Sequence, residues 1–187
     1  EKSRDTVLCT DNTSGVASFN ATANGTAGGP YIVSATTSGL TANFSLTNNK
    51  ANTTTTITSD NPDPSVVGQA VVVNFTVTSA SGTPTGNVTV SDGTVNCTGT
   101  VAAGTCTLTP TTVGTKNLTA TYAGDADFNS SLRIVIGAHT VNKANTTTAI
   151  TADTPDPSVV GQAVVVNYTV TSASGTPTGN VTVSDGT

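Results

Sequence analysis

Three cysteines, one histidine and a scatter of aspartates are the side chains whose chemistry goes beyond packing. Cys97 and Cys106 frame residues 98–105, long enough to fold back with a turn near Val101-Ala102. In such a hairpin the two cysteines fall opposite one another, where Cα atoms stand about 4.5–5.5 Å apart, within disulfide range. The competing readings are two buried thiols or a metal site. Without a Cys-x-x-Cys pair or a nearby His the metal reading is poor. A disulfide is expected, since it fits both the spacing and an oxidising compartment. Cys9 has no evident mate, and its partner stays open.

A nucleophile triad needs a base, and His139 is the only histidine. It stands at the end of a repeat, which predicts a surface or linker residue. Paired carboxylates need a pocket to work as acid and base. Here the acids cluster in turns, where Asp caps the backbone. Asp125, Asp127 and Asn129 begin like a calcium loop, but that pattern then needs Gly and Glu where this chain has Ser130 and Ile136. A turn is the better reading. A Lys–Asn crosslink through Lys50 or Lys116 is set aside. No catalytic residue, cofactor site or metal set is therefore assigned. One reading is kept in reserve, calcium between domains at Asp60, Asp63, Asp153 and Asp156, which lie near the repeat ends.

The amides offer a different chemistry. Asn-x-Ser/Thr occurs at Asn12, Asn20, Asn24, Asn43, Asn52, Asn74, Asn87, Asn96, Asn117, Asn129, Asn145, Asn167 and Asn180, which is 13 of 17 asparagines. Ser and Thr make up about a third of the chain, so chance would supply roughly a third of the asparagines. The excess marks these as candidate N-glycosylation sites, against the plainer reading that Asn and Thr both suit outward strand faces.

The elements that carry these residues read as strands. Val71, Val73, Phe75 and Val77 alternate with Val72, Asn74, Thr76 and Thr78, a period of two with one buried face. Val88 and Val90 alternate with Asn87, Thr89 and Ser91; Leu118, Ala120 and Tyr122 alternate with Asn117, Thr119 and Thr121. Turn residues separate the runs: Pro62-Asp63-Pro64, Gly82-Thr83-Pro84, Asp92-Gly93, Ala103-Gly104 and Gly124-Asp125. Strands are expected near 52–59, 70–79, 87–91, 94–98, 104–109, 115–123 and 132–142. Seven strands at this spacing predict an all-β, two-sheet sandwich of the immunoglobulin type. Its core would be Val with Phe75, Leu108, Leu118, Tyr122 and Phe128. In this phase Asn74, Asn87, Asn96 and Asn117 face away from the core.

Residues 50–94 return almost unchanged as 143–187, differing only at Thr56/Ala149, Ser59/Ala152, Asn61/Thr154 and Phe75/Tyr168. Lys50 recurs as Lys143, a period of about 93 residues, one domain rather than one solenoid turn. The expected organisation is the C-terminal part of a preceding domain over 1–49, a complete domain over 50–142, and the N-terminal part of a further repeat over 143–187. No Gly/Ser tract separates the last two, which predicts semi-rigid end-to-end stacking. Near-copies in tandem supply length and spacing rather than a unique active site.

Composition narrows the partners. Charged residues are 9% of the chain, against roughly 25% in ordinary globular proteins. Net charge is −5 and the six basic residues are scattered, which argues against nucleic acid. No apolar run approaches the ~20 residues of a membrane helix.

Three motifs occur in order: Gly68-Gln69 before the second strand, Pro84-Thr85-Gly86 before the third, and Tyr122-Ala123-Gly124-Asp125-Ala126-Asp127-Phe128 at the sixth. Together they resemble the bacterial immunoglobulin-like repeats of large surface and secreted proteins of the adhesin type. The resemblance covers 50–142 and the front of the last copy, with a weaker likeness to the end of a different repeat over 1–49. It implies an extracellular stalk or adhesin segment and no catalytic residue. Together with the sequons and the tandem copies, it leads to the expectation of a secreted, surface-attached or filament-forming glycoprotein whose partners are neighbouring domains of the same kind. Two alternatives stand beside it: an adhesive module binding a surface receptor or glycan, and the non-catalytic spacer of a secreted enzyme. The loops 80–86 and 173–179 are small and lack aromatics, which disfavours a binding hot spot.

Overall fold

The computed structural model describes residues 14–20, 22–134 and 138–186; Cys9 and Asn12 lie outside them. Among the described residues all regular structure is strand. The chain divides into two compact units, Glu1–Lys50 and Ala51–Thr187. In the first, β1 (Gly28–Thr37) and β2 (Leu40–Asn48) pair antiparallel. Their two-residue turn places Ser38 and Gly39 both at positive φ, the tight hairpin geometry that matches strand twist.

The second unit contains the sandwich. One sheet is ordered β3 (Thr54–Asn61), β5 (Val71–Thr78), β8 (Thr105–Leu108). The other is ordered β11 (Ser131–Ile134), β10 (Thr119–Tyr122), β6 (Asn87–Ser91), β7 (Asn96–Thr100). A further three strands run β4 (Ser65–Val66), β12 (His139–Asn142), β9 (Gly114–Lys116), with β4 parallel to β12. The runs expected at 115–123 and 132–142 are thus each split, into β9/β10 and β11/β12. Each half has its own partners. The two-residue β4 is an addition to the seven expected strands.

The period-two reading decides which side chains meet. β5 buries Val71, Val73, Phe75 and Val77 and turns Val72, Thr76 and Thr78 to solvent. Val88 and Val90 of β6, Ala120 and Tyr122 of β10, Leu108, Leu118 and Phe128 pack in the same buried cluster. Each large apolar side chain buried there contributes roughly 1.5–3 kcal/mol. The second copy repeats the first hairpin. β13 (Thr146–Thr154) pairs with β14 (Val165–Ser172) in the register of β3 with β5: Ile150 opposite Tyr168 as Ile57 is opposite Phe75. Both pairs carry an irregularity at the same place, between Ile57 and Ser59 and between Ile150 and Ala152.

Cys97 and Cys106 form a disulfide with Cα atoms 5.8 Å apart. The route differs from the hairpin read from spacing. β7 ends one sheet and β8 ends the other, so the chain changes sheets between the cysteines. The turn is held by Gly104 N–H donating to Thr100 O (3.0 Å) and by Phe75 N–H donating to Gly104 O (2.8 Å). β7 comes so close to β8 that a Cβ on Gly99 would lie 2.1 Å from Thr105 O. The bridge therefore closes an edge of the sandwich instead of a rung of a ladder. Replacing both cysteines with alanine should lower stability to denaturant by about 2.5–3 kcal/mol, as expected for a short loop with a sequence separation of 9. Reduced wild type should unfold with the variant; if oxidised wild type unfolds there too, the bridge contributes nothing.

Candidate functional site

The densest chemistry lies where β4 and β12 pair. The Val141–Ser65 and Asn142–Val66 register carries His139 to the turn that precedes β4. His139, expected at the surface, is buried with its side chain 0% exposed. Its Nδ1 lies 2.7 Å from Asp60 Oδ2 and 3.4 Å from Asp63 Oδ1, and its Nε2 lies 2.8 Å from Ser65 Oγ. A carboxylate can only accept, so Nδ1 carries the proton shared with Asp60. Asp63 Oδ1 also accepts the Thr140 N–H at 3.0 Å.

Serine, imidazole and carboxylate in this order have the connectivity of a nucleophile triad. Access decides what they do. Ser65 is 1% exposed, so no acyl carbon can approach its hydroxyl. The arrangement instead ties the segment after β3 to the last strand, with both ring nitrogens satisfied. The ligand-type atoms of Asp60, Asp63 and His139 lie within 4.8 Å of one another, an N/O set of the kind divalent transition metals accept. Here the hydrogen bonds among them and from Thr140 already occupy those atoms. Asp153 and Asp156, the matching acids of the second copy, are exposed and lie outside this group.

Two other aspartates organise turns. Asp125 Oδ1 accepts the N–H groups of Asp127 and Phe128 (both 2.9 Å), and its Oδ2 accepts Thr85 N–H (2.8 Å) and Thr85 Oγ–H (2.7 Å). The Thr85 hydroxyl, helped by these N–H donors and opposed by desolvation, holds the carboxyl far below the usual range. Gly124 has φ +84°, and a Cβ there would meet Phe128 O at 2.9 Å. This explains the Gly-Asp-x-x-Phe spacing as a turn rather than a calcium loop. Tyr122 begins that motif. Burial and the neighbouring Asp125 charge push its phenol up, and among the described residues its hydroxyl makes no hydrogen bond of good geometry.

Asp92, 6% exposed, accepts Thr94 N–H, Thr94 Oγ–H and Val95 N–H on Oδ1 at 2.7–2.8 Å. Burial alone would raise its pKa; those bonds and the Lys116 charge outweigh it and lower it. Its other oxygen, Oδ2, is buried and has no hydrogen-bond partner among the described residues.

The sequon amides are spread along the chain. Asn20, Asn24, Asn43, Asn52, Asn87, Asn96, Asn117, Asn129, Asn145, Asn167 and Asn180 are exposed, and Asn74 is half-buried. The Ser65–His139–Asp60 group is what spacing alone missed. The only sequence signal was a lone histidine and a repeated Asp-x-x-Asp-Pro-Ser segment, joined by no local pattern.

Residues 57–136 match the family model for the bacterial Ig-like domain, group 3. No curated protein and no solved structure matches the chain.

Replacing His139 with alanine should cost about 2–4 kcal/mol in denaturant unfolding, because it leaves Asp60 and Ser65 without their partner. A loss below about 0.5 kcal/mol would contradict a structural role. A second expectation concerns acid. A carboxyl depressed by folding stabilises above its unfolded value near 3.9 and loses that contribution as pH falls through the folded value. Stability should therefore fall as pH drops below about 4. Asp125→Asn should be less stable than wild type at pH 7, and the gap should narrow steadily as pH falls from about 4 to 2; a constant gap across that range would refute the assignment.

Proposed function

We propose, from the premise that residues 57–136 are a bacterial Ig-like domain of group 3, that this chain is a stretch of a semi-rigid extracellular stalk or filament built from such domains. The supporting observation is the junction. β12 ends at Asn142 and β13 begins at Thr146, so only Lys143, Ala144 and Asn145 intervene. Three residues cannot act as a free coil between folded bodies. The start of the sandwich is fixed as well. Ala51 N–H donates to Asp127 O (2.9 Å), Asn129 N–H to Ala51 O (2.8 Å) and Thr53 Oγ–H to Ser131 Oγ (2.8 Å). The domain is thus ordered up to both of its limits.

Other features fit an extracellular post. The disulfide suits an oxidising compartment. At 9% charge, glycans on the exposed sequons would keep the outward Thr/Asn faces soluble. The partners are the neighbouring domains of the array, and the work is projection and spacing rather than catalysis.

An antibody raised against residues 51–142 should label unpermeabilised cells of the source organism, while labelling that requires permeabilisation would sink the extracellular reading. Trypsin should spare Lys143 in the folded chain, although that residue is exposed; rapid cutting there would mean a loose linker. The sequons should also differ in occupancy in a glycosylating host. Asn74 Nδ2 donates to Ser59 Oγ at 2.8 Å, whereas the second copy has Ala152 in that place, without a hydroxyl. Peptide mapping should find a glycan at Asn167 and not at Asn74; the reverse would overturn this accessibility argument.

A further inference from the structure

We propose that each repeat carries both halves of a head-to-tail lock. The turn at 172–177 of one repeat is a knob, and the loop at 65–69 of the repeat before it is the socket. The inference rests on the stalk reading and names the contact that sets its geometry. Ser174 Oγ–H donates to Val67 O at 2.6 Å, across the junction between copies. The fit is tight: a Cβ on Gly68 would lie 2.9 Å from Ser174 Oγ and 3.6 Å from Gly175 N. Val67, Val113, Lys143, Ser174 and Pro177 line one cleft there, so linker and both repeats share it.

The socket is built before the knob arrives. Val66 N–H donates to Gln69 Oε1 and Gln69 N–H to Val66 O, both at 3.0 Å. Val67 N–H donates to Asn142 O (2.9 Å) and Gly68 N–H to Pro110 O (2.8 Å). These bonds satisfy the donors of the loop within its own domain and leave the Val67 carbonyl for the next repeat. The second copy shows the same loop with no knob against it. Val159 N–H donates to Gln162 Oε1 and Gln162 N–H to Val159 O, again both at 3.0 Å. Gly161 has φ +81° against +79° at Gly68. Val160 is fully exposed where Val67 is half-buried. The loop shape is thus set by Ser-Val-Val-Gly-Gln itself.

The knob repeats in sequence and in one local bond, with a different backbone at its glycine: φ is +142° at Gly82 and +75° at Gly175. Residues 79–84 and 172–177 are both Ser-Ala-Ser-Gly-Thr-Pro. Ser81 N–H donates to Ser79 Oγ (3.3 Å) as Ser174 N–H does to Ser172 Oγ (3.2 Å). A knob on one end and a socket on the other make a heterologous contact that extends an array without closing it. One hydroxyl–carbonyl bond contributes only about 0.5–1.5 kcal/mol. That is too little to capture a free partner, but it suffices where the short linker already holds the two parts together. The occupant is therefore the adjoining copy of the same repeat.

A designed disulfide tests this directly in the full chain with Cys9→Ser. In a disulfide, Cβ stands about 3 Å from the partner sulfur, which the 2.9 Å approach at Gly68 meets. Gly68→Cys with Ser174→Cys should oxidise to an intramolecular 68–174 bridge in most molecules, seen by peptide mapping. Gly161→Cys with Ser81→Cys, the same residues on the outer ends, should not bridge within one chain. Equal bridging in both pairs overturns the lock, as does none in either. A side chain strained at the positive φ of Gly68 could hinder folding, so Ser174→Val gives a second reading. It should raise tryptic cutting at Lys143 about two- to tenfold over wild type, the range set by one lost hydrogen bond; an unchanged rate also overturns the lock. If wild type itself is cut rapidly, it is the stalk reading that fails.

Discussion

The rest of the structure depends on the inward stripe of β5. Val71, Val73, Phe75 and Val77 occupy every second position, and they bind the β3–β5–β8 sheet to Val88, Val90, Ala120 and Tyr122 of the other layer. With so few charged side chains, ion pairs cannot carry the fold. Burial of these apolar groups must offset the loss of chain entropy. The same alternation sends Asn and Thr outward, where hydroxyl pairs such as Thr89 and Thr98 (3.3 Å) run between strands. One phase choice thus sets both the dry interior and the uncharged polar exterior.

Where strands end, aspartate takes over. Asp92 and Asp125 gather N–H groups that a turn would otherwise leave unpaired, while Asp60 and Asp63 hold the buried His139 against Ser65. The cost of burying imidazole and hydroxyl is offset because each polar atom finds a partner. The result is a domain whose ends are as well bonded as its middle. With Ser65 sealed from solvent, the Ser-His-Asp geometry ties the segment after β3 to the last strand.

Much of the fold was legible because a period of two needs only local sequence. The strand runs, the buried set and the turn role of Asp125 followed from alternation and turn chemistry. What escaped was non-local. His139 stands next to the junction in sequence, and only the parallel pairing of β4 with β12 takes it into the interior. β4 is two residues long and offers no period to read. The cysteine spacing suggested a ladder because a short loop most simply closes as a hairpin. Gly99 and Gly104 allow the chain to cross between sheets there, a role no count of intervening residues reveals. The Val67–Ser174 contact was equally hidden, since it joins residues 107 apart.

In the proposed stalk, successive copies are held in one fixed orientation. Residual dipolar couplings of backbone amides in weakly aligned solution measure this directly. One alignment tensor should fit the amides of β3 to β12 and those of β13 and β14 together. A distinct, smaller tensor for β13 and β14 would mean that the second copy swings on its linker, and the stalk would be a chain of loose beads.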